Sequence, residues 1–165
     1  MPGPTDSYSD AVSGTPRVVL DSNVWIDILV FDDIATRPIH AALVNGTLDA
    51  VIDARCLAEL AHVLDYPHLA RRPFDKAAAL AAVSRLTAMT DGASVGPNGP
   101  PLPKCKDRDD QKFLELAHAA RAHWLVSKDR ALLKLDKRTA RDFGFRIAQP
   151  APFTAACGLA MPAPA

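Results

Sequence analysis

The chain has few cysteines, no net charge and no long apolar run. Cys56, Cys105 and Cys157 are odd in number, far apart and without a C-x-x-C pair. They suggest neither a disulfide framework nor a cysteine zinc site, and three reduced thiols are expected. No stretch approaches the ~18 uninterrupted apolar residues of a membrane span. The first residues, MPGPTDSYSD, lack a basic start and an apolar run, so no signal peptide is read and a cytoplasmic location is expected.

What is present fits one soluble domain. The chain has 165 residues, 48% hydrophobic and 23% charged, which excludes a disordered or fibrous protein. A core of this size needs no staples. The zero net charge hides an uneven distribution. Residues 1–103 hold 7 Lys+Arg and 12 Asp+Glu, whereas residues 104–141 hold 11 and 6. A local basic surface that steers a polyanion is therefore compatible with overall neutrality.

Residues 1–16 are rich in Gly, Pro, Ser and Asp and read as a disordered N-terminal tail. A C-terminal tail is expected over 154–165, ending in CGLAMPAPA. There is no internal repeat. RVVLDSN (17–23), LDAVI (48–52), HWLVS (123–127) and FRIAQP (145–150) read as strands, the last stopped by Pro150. Helices are expected over 24–29, over 36–45 with a stop at Gly46, over 54–65, 74–89 and 108–122, and over 129–135. GPNGPPLP (96–103) must be a loop. Strands alternating with helices predict an α/β fold, a three-layer α/β/α sandwich around a mostly parallel central sheet.

Asp21 and Asp129 occupy equivalent places, each where an apolar strand gives out. Ligands bind at the carboxyl ends of strands in open parallel sheets. Either residue alone is more simply explained as a turn or helix-cap residue. Asp107-Arg108-Asp109-Asp110 opens a helix, where capping explains one carboxylate but not three. Asp109 and Asp110 project near the edge of the face carried by Phe113 and Ala117, and a carboxylate there needs a partner. Glu59 lies off the apolar stripe of Leu57, Leu60, Ala61 and Leu64, and pattern alone reads it as an exposed helix glutamate. Clustered oxygen ligands suit Mg²⁺ or Mn²⁺, which would relieve their mutual repulsion.

These segments resemble the PIN domain family, and within it the bacterial, VapC-like toxin components of toxin–antitoxin systems. VVLDSNVWID (18–27) is similar to the first family motif and LAELAHVLDYP (57–67) to the second. KDRDDQKFLELAHAARAHWLVSKDRALLKL (106–135) is similar to the last two, and the resemblance spans residues 17–153. It implies that Asp21, Glu59, Asp110 and Asp129 are catalytic and hold metal, with Asp107 as a further ligand and Asp109 as an accessory. Asn23 and Ser127 match supporting positions. Ser127-Lys128 stands where many relatives carry Thr-Gly, which sets a cation beside the site.

The resemblance implies a metal-dependent ribonuclease whose Mg²⁺ or Mn²⁺ activates water against phosphorus and leaves 5′-phosphate and 3′-hydroxyl ends. It also implies an RNA substrate, an antitoxin protein as partner and a homodimer. The helices at 36–45 and 74–89 offer a dimer surface or are ordinary core. Lys106, Arg108, Lys128 and Arg130 are candidates to hold RNA phosphates, as are Lys104, Lys112 and Lys134; a solvated charged surface is the alternative for each. Trp25 and Trp124 read as core rather than as stacking platforms, and the five histidines show no ligand spacing.

The competing function is a PIN-fold module that binds RNA or protein with little catalysis; the complete acid set favours the enzyme. A haloacid-type phosphatase is disfavoured because DSN at 21–23 lacks its second Asp. A phospho-accepting receiver is disfavoured because the acid block opens a helix.

Overall fold

The structure, a computed structural model, describes residues 14–69, 71–90 and 101–161. Most of the expected N-terminal tail and of the 96–103 loop lies outside the described residues.

Five parallel strands form one sheet: β1 (Arg17–Leu20), β2 (Asp49–Ile52), β3 (Thr87–Met89), β4 (Trp124–Val126) and β5 (Arg146–Ala148). Their order is β3-β2-β1-β4-β5. Successive strand residues face opposite sides of a sheet. Val18, Val19 and Leu20 are all buried, so both faces of the central strand are covered. That is the expected three-layer arrangement, and the sheet is wholly parallel.

The helices are α1 (Ser22–Ile26), α2 (Arg37–Asn45), α3 (Ala54–Val63), α4 (Lys76–Leu86), α5 (Gln111–Ala119), α6 (Arg130–Leu133), α7 (Asp136–Asp142) and α8 (Pro150–Ala156). Their starts follow from capping. The side chains of Asp21, Asp53, Asp75 and Asp129 each accept a backbone N–H in the first turn of α1, α3, α4 and α6. Gly46 ends α2 with φ +83°, a conformation that glycine adopts without strain. A π-helical turn, Asp27–Phe31, prolongs α1. Among the described residues, no helix is long and apolar enough to cross a membrane.

Several expected elements are corrected. The helix predicted over 74–89 stops at Leu86, and Thr87–Met89 instead pairs with β2 as an edge strand. The segment 17–23 leaves the sheet at Leu20, because Asp21 already caps α1. The helix predicted from 108 begins with a 3-10 turn over Arg108–Asp110. Helix α7 lies outside the predicted elements. Pro150 follows β5 as expected but also opens α8, which runs through the expected boundary at 153/154.

The apolar face of α5 positions the site. Phe113, Leu114, Leu116 and Ala117 are buried, and α5 packs on β1 and β4. Burying each large side chain contributes roughly 1.5–3 kcal/mol. That face therefore holds the acidic start of α5 over the carboxyl ends of these strands. Trp25 is buried, and Trp124 packs edge-on against Phe153 at 5.3 Å, so both tryptophans serve packing. All three cysteines are free.

Candidate metal centre

Strands β1 and β4 are neighbours in space but far apart in sequence. The chain proceeds from β1 to β2 and β3 on one side, then returns to β4 and β5 on the other. Such a reversal opens a crevice at the carboxyl ends of the two central strands. Leu20 pairs in register with Val126, so the residues that follow, Asp21 and Ser127, meet.

Asp21 is 4% exposed. One carboxylate oxygen accepts the Val24 N–H at 3.0 Å, and the other accepts the Ser127 hydroxyl. Burial pushes its carboxyl up to about 6; the charge of Asp129 adds to this, while Ser127 and the Val24 N–H oppose it. Ser127 is fully buried, and its oxygen accepts the Asp129 N–H at 2.9 Å. One hydroxyl thus joins the ends of β1 and β4.

Asp110 and Asp129 form a carboxyl pair. Burial is the largest influence raising Asp110, followed by its hydrogen bond to Asp129 and the charges of Asp129, Asp107 and Asp21; its carboxyl rises to about 8. Asp129 is held below the usual range, chiefly by that same hydrogen bond. Of the two, Asp110 is therefore the one that holds a proton more tightly. Asp107 caps the 3-10 turn, accepting the Asp109 N–H at 3.0 Å.

One carboxylate oxygen each from Asp107, Asp110 and Asp129 lies within 4.8 Å of the others. Two oxygens on one Mg²⁺ stand at most about 4.2 Å apart, so small side-chain rotations would close this set. The donors are all hard oxygens, and carboxylates this close repel one another unless a proton or a cation lies between them. The triplet therefore fits a divalent cation.

A cleft of about 320 Å³ contains the triplet. Asp21, Ser22, Asn23, Glu59, Phe113 and Lys128 also line it. The structure thus brings all four expected acids, with Asp107 and Asn23, to one cleft. Asp109 does not line it, nor does any histidine. The reading of Glu59 as an exposed glutamate is corrected. Its two oxygens meet the Ser22 hydroxyl at 2.5 Å and the Lys112 ammonium at 2.5 Å.

The cations divide into two groups. Lys104, Lys106, Arg108, Arg130 and Lys134 are exposed and form no salt bridge among the described residues. Lys128 lines the cleft with its ammonium 2.5 Å from a carboxylate oxygen of the buried Asp27. Lys112, read above as a phosphate contact, is instead 17% exposed and bound to Glu59. Sequence reasoning missed Ser22, Asp27 and this role of Lys112. A signal existed in the charge pattern: Arg55 and Glu59 on α3 face Glu115 and Lys112 on α5, with Arg55 meeting Glu115 at 2.5 Å.

No curated protein and no solved structure gives a significant match to the chain. The family model for the PIN domain matches residues 17–131, from the first residue of β1 into α6 and across every acid of the cleft. The chain belongs to the PIN domain family.

Proposed function

We propose that this chain is a metal-dependent ribonuclease that hydrolyses RNA phosphodiester bonds. PIN domains are generally metal-dependent nucleases. The observation that carries the reading is the convergence of Asp107, Asp110 and Asp129 within 4.8 Å, beside Asp21 and Glu59 in one cleft.

In this reading Asp110, Asp129 and Asp107 hold Mg²⁺ or Mn²⁺, with Asp21 and Glu59 as the remaining catalytic acids. A divalent ion held there would supply Lewis acidity, to a water and to the charge on the phosphate and the leaving oxygen. Ser127 orients Asp21 and fixes the backbone at Asp129. Asp110, whose carboxyl burial pushes up, would have to be deprotonated to hold the ion. Asn23 and Lys128 stand on the cleft wall, where they meet the substrate. Lys106, Arg108 and Arg130 contact phosphates, positioning a strand without reading its sequence. The reading extends to a cytoplasmic toxin held by an antitoxin. Its expression in a bacterial host is then expected to arrest growth, and Asp129→Asn is expected not to.

Cleavage of a mixed-sequence single-stranded RNA by purified protein tests the chemistry, with Mn²⁺, with Mg²⁺ and with EDTA, beside Asp129→Asn. Metal-dependent cutting that the variant lacks supports the ribonuclease. A folded protein that binds RNA but cuts under none of these conditions is a binding module instead.

A further inference from the structure

Among the described residues, Glu59 is the one expected ligand already held in a salt bridge, and both its oxygens are engaged. Ser22 holds one at 2.5 Å and the Lys112 ammonium lies 2.5 Å from the other. Lys112 is unusual among the basic residues around the acid block. It is 17% exposed and is fixed a second time by the Asp109 carbonyl. That carbonyl belongs to the residue beside Asp110, so the lysine links α3 to the start of the triplet. The helix pairing that holds Lys112 there is set independently by Arg55, which bridges Asp53 at 3.0 Å and Glu115 at 2.5 Å.

We infer that Lys112 is a built-in competitor of the divalent cation for Glu59. The first ion is held by Asp110, Asp129 and Asp107. Glu59 becomes a ligand only when its carboxylate is drawn away from the ammonium, and Lys112 is then released towards solvent at the edge of the cleft. The physical reason is charge balance. A carboxylate at the wall of a half-buried cleft carries one negative charge, and a divalent cation drawn to it repels the ammonium already bound there. Glu59 therefore contributes little to metal affinity while Lys112 is present. This inference rests on the metal-dependent reading above.

Manganese titration of the full chain by calorimetry tests it, with Glu59→Gln, Lys112→Met and the double variant. Glu59→Gln is expected to change the affinity of the wild-type chain less than about threefold. Lys112→Met is expected to tighten binding by about tenfold, and the double variant to lose that gain, which is a coupling of neighbours read by the cycle. A gain that persists in the double variant would mean general electrostatics rather than competition and would overturn the inference. Absence of any manganese binding, in any variant, would sink the metal-dependent reading itself, and the inference with it.

A second measurement needs no variant. Amine acylation of the wild-type chain, followed by mass spectrometry, is expected to accelerate several-fold at Lys112 as Mg²⁺ is added. Lys76, salt-bridged to Asp65 and not lining the cleft, is expected to stay constant. Magnesium binding with no change at Lys112 would also overturn the inference.

Discussion

The Ser127 hydroxyl donates to Asp21 and accepts the Asp129 N–H, so one buried side chain ties the acid after β1 to the acid after β4. The link exists because Leu20 and Val126 are paired in register. Ser127→Ala removes a hydrogen bond from a nearly fully buried carboxylate and an acceptor from a backbone N–H. It is expected to cost about 1–3 kcal/mol in urea unfolding. Cleavage is expected to fall about 10–100-fold, the usual effect of losing a group that orients a ligand. Unchanged kcat/KM would remove Ser127 from the site's architecture.

The two raised carboxyls give a definite pH dependence. Asp110 at about 8 and Asp21 at about 6 both bind protons more tightly folded than unfolded. The folded chain then carries more protons than the unfolded chain between roughly pH 4 and 8, so stability falls as pH rises through that window. Asp129, held low, acts in the opposite sense only below its ordinary value. Thermal unfolding in EDTA is expected to show Tm decreasing from pH 5 to 8, with a flatter profile for Asp110→Asn. A Tm that climbs over the same range would contradict the assignment of the proton to Asp110.

Much of this arrangement was legible in the sequence, and the misses have physical causes. Asp21 and Asp129 could be placed because an apolar run ending in an acid marks both a strand end and a helix cap. Glu59 could not, since its surroundings come from Ser22 and Lys112, 37 residues before it and 53 after it. Strand β3 was hidden because Thr87-Ala88-Met89 follows an Ala- and Leu-rich helix with no Gly or Pro between them. Its pairing with β2 decides its conformation. Pro150 carries two meanings, a strand stop and a first helical residue, and the residues before it signal only the first.

Replacing Asp129 by Asn separates chemistry from folding. The amide still accepts the Ala131 N–H, so the α6 cap survives. One charge is removed from a cleft lined by five carboxylates, four Asp and one Glu. In EDTA the variant is expected to match or exceed the wild-type Tm, while cleavage falls at least ~100-fold. Wild-type cleavage by this variant would exclude Asp129 from the mechanism.

The exposed cations should govern binding rather than turnover. Lys106 and Arg108 flank Asp107 and form no salt bridge among the described residues, so a phosphate is the natural countercharge for each. Each phosphate contact on a single strand contributes about 0.7 to the slope of log affinity against log salt. The background for the measurement is Asp129→Asn, which is expected to bind without cutting. Lys106→Ala with Arg108→Ala is expected to weaken affinity for single-stranded RNA and to lower that slope by about 1.4, read by fluorescence anisotropy across a salt series. In the otherwise wild-type chain the same pair should raise KM more than it lowers kcat, because neither ammonium nor guanidinium lines the cleft. An unchanged salt slope would place the RNA path elsewhere and leave Lys128, already on the cleft wall, as the first cation to test.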